Sequence, residues 1–121
     1  MHCTEVKVRF SELDPYGHVN HAVHLTYFET ARIEALGSIG LGLARLQDEG
    51  FHLIVVEVQA RYLRPAMFGD VLTVETAIAE VRAASARWSQ RMTRGDELIA
   101  TLELRGCGWS MSERACGPPN G

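Results

Sequence analysis

The sequence predicts an α+β domain in which an antiparallel sheet of five strands wraps around one long central helix. Two observations lead to this prediction. One segment with helical spacing is apolar around most of its circumference, so it has to be buried on more than one side. Five other segments have the alternating or β-branched pattern of strands, and four of them follow the helix through short connections. Such a helix needs a curved sheet to cover it.

The first strand is predicted at residues 6–10, where apolar and polar residues alternate. A turn-rich stretch separates it from the long helix, which is predicted over residues 21–36 with Asn20 as its N-cap. Gly37 follows at the position where a left-handed residue would end the helix. A second, shorter helix is predicted over residues 39–48.

The remaining strands are predicted at residues 52–63, 71–82, 85–94 and 97–109. The sequence Arg-Gly-Asp-Glu at residues 94–97 is typical of the tight turn of a β-hairpin. The domain is expected to span residues 1–112, and the Gly- and Pro-rich residues 113–121 are expected to form a disordered tail. A single sheet leaves an edge and part of the helix uncovered, which predicts that two subunits pair.

Composition and charge disfavour several kinds of function. The 121 residues carry a formal net charge of −3 without a run of five like charges, which argues against a general nucleic-acid or anionic-membrane surface. No stretch approaches the length of an apolar membrane span, and the N-terminus lacks the apolar core of a signal peptide. The three cysteines form no Cys-x-x-Cys pair, which argues against a disulfide framework and for the cytoplasm.

Turn-forming residues are concentrated at residues 13–20, Leu-Asp-Pro-Tyr-Gly-His-Val-Asn, directly before the long helix. Asp14 is a preferred turn former because its side chain accepts hydrogen bonds from nearby backbone amides. A carboxylate beside a helix start also suits catalysis, since unpaired amides there stabilise a developing negative charge. The residues alone leave both roles open. Glu12 is either a neighbouring carboxylate that raises the pKa of one member of the pair or a solvated acid at a strand end.

Histidines at positions 18, 21 and 24 raise the question of a metal site. Their three-residue spacing places the outer two about 120° apart around a helix axis, so one ion does not readily reach all three. No cysteine or carboxylate completes a zinc pattern, and no metal is predicted. His18 is instead expected to brace the turn by hydrogen bonding, while Asn20 caps the helix and fixes the loop that carries Asp14.

Two longer stretches resemble a known enzyme family. They read VRFSELDPYGHVNHAVHLTYFE at residues 8–29 and RYLRPAMFGDVLTVET at residues 61–76. Both are similar to signature segments of the hotdog-fold acyl-CoA thioesterases, in the 4-hydroxybenzoyl-CoA thioesterase-like branch that includes the YbgC and FadM types. With the order of elements, the resemblance covers about residues 5–110. The first stretch is the more specific, since the second occurs throughout the hotdog superfamily.

The resemblance implies a hotdog fold and hydrolysis of an acyl-CoA thioester to free acid and CoA, with no metal or other cofactor. It assigns the catalytic carboxylate to Asp14, as general base or nucleophile. It also assigns polarisation of the carbonyl oxygen to the backbone amide of His21. Leu13 stands where the family often has Thr, and His24 where it often has Tyr. These departures leave Asp14 intact and bear on which acyl group the site accepts.

The resemblance also implies partners. CoA phosphates are expected to meet basic side chains near the strand ends, namely Arg61, Arg64, Arg82 and Arg87. Trp88 is expected at a subunit contact or stacked on adenine. The assembly is expected to be a homodimer or a tetramer made of two dimers. Two alternatives remain open: a thioesterase acting on acyl carrier protein, and a domain that binds acyl thioesters without cleaving them.

Overall fold

One long helix and a five-stranded antiparallel sheet make up the computed structural model, which describes residues 1–38, 51–82 and 85–110. The elements are β1 His2–Lys7, a 3-10 turn Phe10–Glu12, α1 His21–Ser38, β2 Phe51–Tyr62, β3 Val71–Arg82, β4 Ser85–Arg94 and β5 Glu97–Ser110. The strand order β1-β3-β4-β5-β2 makes β1 and β2 the sheet edges. This architecture confirms the predicted α+β class. The predicted helix at 39–48 and tail at 113–121 lie outside the described residues.

The first strand lies earlier in the chain than predicted, at His2–Lys7 rather than at residues 6–10. Its bounds are set by its partner, because Lys7 pairs with Val71, the first residue of β3, and the ladder ends there. Phe10 already belongs to the 3-10 turn, and its side chain is 77% exposed. Alternation of apolar residues therefore predicted a strand near the N-terminus but not its bounds, which depend on where β1 pairs with β3.

The β4–β5 hairpin has the predicted turn. Arg94 pairs with Glu97 across it, and Gly95 adopts the left-handed φ of 59° that favours glycine. Two residues thus reverse the chain between β4 and β5, as the turn signal in the sequence indicated.

The helix is buried on one face only. Its buried side chains are His24, Tyr27, Phe28, Ala31 and Leu36. This face packs against β1 and β3 and meets a core that includes Leu72, Val74 and Met92. Leu25 and Ile33 remain 39% exposed, so the chain by itself does not cover the helix all round. None of the described helices combines the length and hydropathy needed to cross a bilayer.

Two local expectations about α1 and the sheet are wrong. Gly37 lies inside the helix without a left-handed φ, and α1 continues to Ser38. Trp88 is 7% exposed and belongs to the hydrophobic core, rather than to a subunit contact or an adenine site. Its polar sequence neighbours point to the other face of β4, since successive side chains alternate across a strand.

A buried glutamine ties the helix to the sheet. Gln90 of β4 is 1% exposed, and its Nε2 donates hydrogen bonds to the Phe28 carbonyl at 2.9 Å and to Thr76 Oγ1 at 3.0 Å. Its Oε1 accepts a hydrogen bond of 2.8 Å from Arg32 Nη1. The amide is thereby satisfied on both sides, which makes its burial tolerable.

One cysteine is disulfide-bonded, although the sequence argued against a disulfide framework. Cys107 is disulfide-bonded, whereas Cys3 is an exposed free thiol. Spacing in the sequence could not reveal this, because disulfide formation depends on which cysteines the fold brings together.

His24 is a buried histidine with an unsatisfied ring. The residue is 4% exposed, and its Nδ1 has no hydrogen-bond partner within the described residues. Its ring packs edge-on against Tyr62, with 5.3 Å between centroids. Burial, reinforced by the neighbouring His21, lowers the pKa of His24 from 6.5 to about 4. The imidazole is therefore neutral at pH 7.

We expect His24 to make the fold acid-sensitive. Between pH 6.5 and pH 4 the unfolded chain takes up a proton at this site that the folded chain does not, so the free energy of unfolding declines as the pH falls. At about 1.4 kcal/mol per pKa unit the loss is up to about 3 kcal/mol. Urea unfolding of the wild type and of His24→Leu at several pH values measures it. The variant should lose less stability in acid, and equal losses in the two proteins would contradict the assignment to His24.

Candidate active site

The loop before α1 folds back on itself through a short antiparallel ladder. The Glu12 carbonyl accepts a hydrogen bond of 3.1 Å from the Asn20 amide, Leu13 forms a bridge with Val19, and the Asp14 amide donates to the His18 carbonyl at 2.7 Å. Residues 12–14 thus run beside residues 18–20, with the chain reversing between them. This arrangement fixes Asp14 relative to the beginning of the helix.

Asp14 forms the turn with one carboxylate oxygen. Its Oδ1 accepts hydrogen bonds from the amides of Tyr16 at 2.9 Å and His18 at 3.1 Å. Gly17 completes the reversal with a left-handed φ of 81°. No described residue donates a hydrogen bond to Asp14 Oδ2. The carboxylate therefore acts as a turn former, as its residue type predicts, and still has an oxygen free for chemistry.

At the helix start a single amide is left without an acceptor. Asn20 caps the helix as predicted: its Oδ1 accepts from the Ala22 amide at 2.9 Å, and its carbonyl accepts from the amides of Val23 and His24. The Asn20 amide is occupied by Glu12. The His21 amide, by contrast, has no acceptor in the part of the chain that the structure describes. Such an N–H at the positive end of a helix is suited to binding an oxyanion.

Glu12 fits neither of its two sequence interpretations. Its Oε1 accepts hydrogen bonds from the Tyr27 hydroxyl at 2.7 Å and the Arg9 amide at 3.0 Å, and Oε2 pairs with Arg9 Nη2 at 3.2 Å. Burial opposes ionisation, but the hydrogen bonds from Arg9 and Tyr27 outweigh it and hold the pKa of Glu12 below 4.5. Glu12 is an ionised, anchored carboxylate, not a solvated acid and not one with a raised pKa.

The two stretches that carry the family resemblance lie side by side. His18 forms a bridge with Met67, and the Val19 amide donates to the Ala66 carbonyl at 2.8 Å. Within the second stretch, Asp70 Oδ2 accepts hydrogen bonds from the Met67 amide at 2.9 Å and from Arg94 Nη1 at 2.6 Å. The second stretch therefore supports the loop that holds Asp14.

His18 braces this loop through its backbone, since its amide and carbonyl both bond to Asp14.

Within the described ranges no three His, Cys, Asp or Glu side chains are grouped to hold a metal ion. The expectation that the protein needs no metal stays a prediction.

The arginines predicted to meet CoA do not form one cluster. Arg61 and Arg87 are exposed, Arg61 opposite Thr101 of β5 and Arg87 opposite Arg105. Those two partners are four positions apart in β5, which is about 13 Å along a strand. The side chain of Arg82 lies outside the part of the chain that is described.

Arg64 lies two residues beyond β2, and its side chain forms an exposed ion pair. It follows Tyr62, whose hydroxyl donates to the His21 carbonyl at 3.4 Å. Its Nη1 pairs with Glu97 Oε2 at 3.1 Å, and its side chain remains 59% exposed. An exposed ion pair of this kind is weak and can be exchanged for another anion.

Sequence reasoning missed two tyrosines at this site. Tyr27 reaches back from the helix to Glu12, and Tyr62 stacks near both His21 and His24, with 5.3 Å between ring centroids in each case. In the sequence, helical or strand periodicity predicts only that these two tyrosines occupy partly buried positions. It does not reveal a hydrogen bond between residues 15 or 41 positions apart.

Comparison with known proteins places the chain in a family. The sequence profile of the thioesterase-like superfamily matches residues 8–120. An acyl-CoA thioesterase YbgC from Haemophilus influenzae is 33% identical over 83% of this chain and 74% of its own length. The chloroplastic acyl-acyl carrier protein thioesterase ATL3 of Arabidopsis thaliana is 37% identical over 87% of this chain, which spans 55% of that relative.

A solved structure agrees with these matches. The hypothetical protein TT1821 from Thermus thermophilus superimposes with a TM-score of 0.90 at 34% identity, covering 98% of this chain and 92% of that one. The helix, the five-stranded sheet and the matched residues identify the same domain. This chain belongs to the thioesterase-like superfamily and is a thioester hydrolase with a hotdog fold.

Proposed function

We propose that this chain hydrolyses acyl-CoA thioesters to the carboxylic acid and free CoA, using Asp14 and the backbone amide of His21. One observation carries the proposal: a carboxylate with a free oxygen and a helix-start amide without an acceptor are held by the same hydrogen-bonded loop. The name of the Haemophilus influenzae relative supports CoA as the carrier.

The His21 amide acts on the thioester oxygen. As a nucleophile adds to the carbonyl carbon, negative charge builds on this oxygen, and the N–H donates a hydrogen bond to it. The dipole of the 18-residue helix adds favourable potential at the same point. Donors fixed in advance stabilise the transition state more than the ground state, which is what lowers the barrier.

Asp14 supplies the attack through Oδ2. As a general base it takes a proton from water while the water oxygen bonds to the carbonyl carbon; collapse of the oxyanion then breaks the C–S bond and releases the CoA thiolate, which takes up a proton. As a nucleophile it forms a mixed anhydride with loss of the thiolate, and water then hydrolyses the anhydride. Both routes need only the substrate, water and residues of the protein.

An acyl carrier protein is the second candidate for the carrier. The Arabidopsis thaliana relative named for that activity is 37% identical. The same carbonyl chemistry serves either carrier, because the thioester is identical in both. A third possibility, binding without cleavage, would leave an acyl-CoA intact after prolonged incubation.

We expect Asp14→Asn to lower kcat by at least about 100-fold, since the amide cannot accept the proton or attack the carbonyl. The fold should persist, because Asn Oδ1 can keep the turn hydrogen bonds. Thiol release is measured on short, medium, long and aromatic acyl-CoAs and on matched acyl carrier protein thioesters. Asp96→Asn, at the exposed tip of the β4–β5 hairpin, is the matched control.

Each outcome of that comparison is informative. Activity of Asp14→Asn within a few-fold of wild type would remove Asp14 from the mechanism. Turnover of the carrier-protein thioesters alone would transfer the proposal to the second candidate. Wild-type protein that binds every thioester and cleaves none would leave only the binding function.

We expect Arg64→Ala to raise KM for acyl-CoA severalfold with little change in kcat, because Arg64 is proposed to exchange Glu97 for a CoA phosphate. Arg91→Ala is the control, since Arg91 is similarly exposed and lies 4.0 Å from Glu75. Steady-state kinetics with acyl-CoA measure both variants. An unchanged KM in Arg64→Ala, or an equal rise in both, would argue against this phosphate contact.

The protein is also proposed to work as a homodimer paired along β2. This strand is a sheet edge, and four of its described apolar side chains are between 38% and 50% exposed, namely Ile54, Val55, Val56 and Val58. Beside it a groove of about 210 Å³ separates the helix, at Leu25 and Glu29, from the sheet. A second copy related by a two-fold axis would extend the sheet and fill this groove. Two such dimers are also proposed to associate into a tetramer.

We expect Val58→Glu to shift the protein to a monomer. Val58 lies opposite the buried Leu104 and lines the groove, so a charge there would be buried on pairing. Gln59→Glu adds the same charge one residue on, toward the other face of β2, and should leave the assembly unchanged. Light scattering after size-exclusion chromatography gives the masses. A monomeric wild type, or a dimer that survives Val58→Glu, would contradict pairing along β2.

A further inference from the structure

We propose that Glu12 and Tyr27 form a positioning pair that sets the catalytic loop against the start of α1. This inference rests on the proposed function, because it concerns how Asp14 and the His21 amide are held relative to each other. Neither residue is proposed to touch the substrate. Their contribution is to the placement of the two groups that do.

Glu12 contacts the helix at two separate points. Its backbone carbonyl accepts the Asn20 amide at 3.1 Å, at the cap. Its carboxylate accepts the Tyr27 hydroxyl at 2.7 Å. Tyr27 lies six residues beyond His21, which is about 9 Å along the helix axis, and its side chain reaches back over that distance to Glu12. Glu12 is thereby bonded to helix residues more than one turn apart, and this restrains its orientation relative to the cap.

The restraint reaches Asp14 through the short ladder. Glu12 pairs with Asn20, Leu13 with Val19, and Asp14 with His18, in three successive steps. Without the Tyr27 bond, the hydrogen bonds that join the ladder to the helix among the described residues are those at the cap. Displacement of a catalytic group by about 1 Å can cost as much as 100-fold in rate, so a small loosening is measurable.

The protonation states of the pair are fixed around neutral pH. Burial and the hydrogen bond to Glu12 raise the pKa of the Tyr27 hydroxyl, so it stays a donor. The hydrogen bonds from Arg9 and Tyr27 overcome burial and lower the pKa of Glu12, so it stays an ionised acceptor. A hydrogen bond to an ionised group is stronger than one between neutral groups. Arg9 holds the carboxylate from the solvent side.

The hydroxyl can be tested without disturbing the ring. Tyr27 is 5% exposed, and its ring belongs to the core, so Tyr27→Phe keeps the packing and removes only the donor. We expect kcat to fall by roughly tenfold to 100-fold while KM for acyl-CoA changes less than twofold. Tyr16→Phe is the matched control, because Tyr16 lies in the same loop but is 83% exposed.

Variants of Glu12 complete the test. Glu12→Gln keeps an acceptor oxygen and should retain most of the activity, whereas Glu12→Ala should lose at least as much as Tyr27→Phe, because it also removes the bonds to Arg9. The double variant Glu12→Ala/Tyr27→Phe should lose little more than Glu12→Ala alone, since Glu12→Ala already breaks the bond to Tyr27. Wild-type kcat in Tyr27→Phe, a loss confined to KM, an equal loss in Tyr16→Phe, or additive losses in the double variant would each overturn the proposal.

A second measurement separates this proposal from the proposed function. Hydrogen exchange of the His18 amide, which donates to Asp14 Oδ1, and of the Asn20 amide, which donates to the Glu12 carbonyl, should accelerate in Tyr27→Phe and not in Tyr16→Phe. If the wild type cleaves no thioester, the proposed function fails while exchange still decides whether the pair holds the loop. Unchanged exchange in Tyr27→Phe would overturn the positioning role whatever the activity.

Discussion

The active-site geometry depends on the hydrogen bond between the Asn20 amide and the Glu12 carbonyl. This bond joins the end of the 3-10 turn to the helix cap and begins the ladder that ends at Asp14. It also gives the Asn20 amide an acceptor. Among the residues described, the His21 amide is then the one N–H at the start of α1 that is free to bind a substrate oxygen. A loop of nine residues thereby holds an acid and a donor in one rigid unit.

The sheet supports this unit from a distance along the chain. The Val8 amide donates to the Asp70 carbonyl at 2.9 Å, and the Val19 amide to the Ala66 carbonyl, so the chain before the loop and the end of the loop are both attached to the segment between β2 and β3. Arg94 in turn binds Asp70 from the β4–β5 hairpin. The position of Asp14 therefore depends on side chains up to 80 residues away, although none of them reaches the carbonyl chemistry.

Local signals in the sequence predicted the parts of the site that are built locally. The cap at Asn20 and the turn at Asp14 each involve bonds within four residues, and both lie where expected. The bounds of β1 depend on where β3 begins, and the bond from Tyr27 to Glu12 joins residues 15 apart. Those features arise from tertiary packing, which periodicity and turn propensity do not encode. Trp88 was misjudged for the same reason, because its burial follows from tertiary packing of its face of β4 into the core.

The donor at position 21 is a main-chain group, and this affects how the site can vary. Every amino acid except proline carries the same N–H, so the side chain there can drift between relatives without loss of the donor. Replacement of residues one by one with alanine would reveal the carboxylate and overlook its counterpart. Proline is well accepted at the first position of a helix, so it could delete this N–H and leave the helix standing.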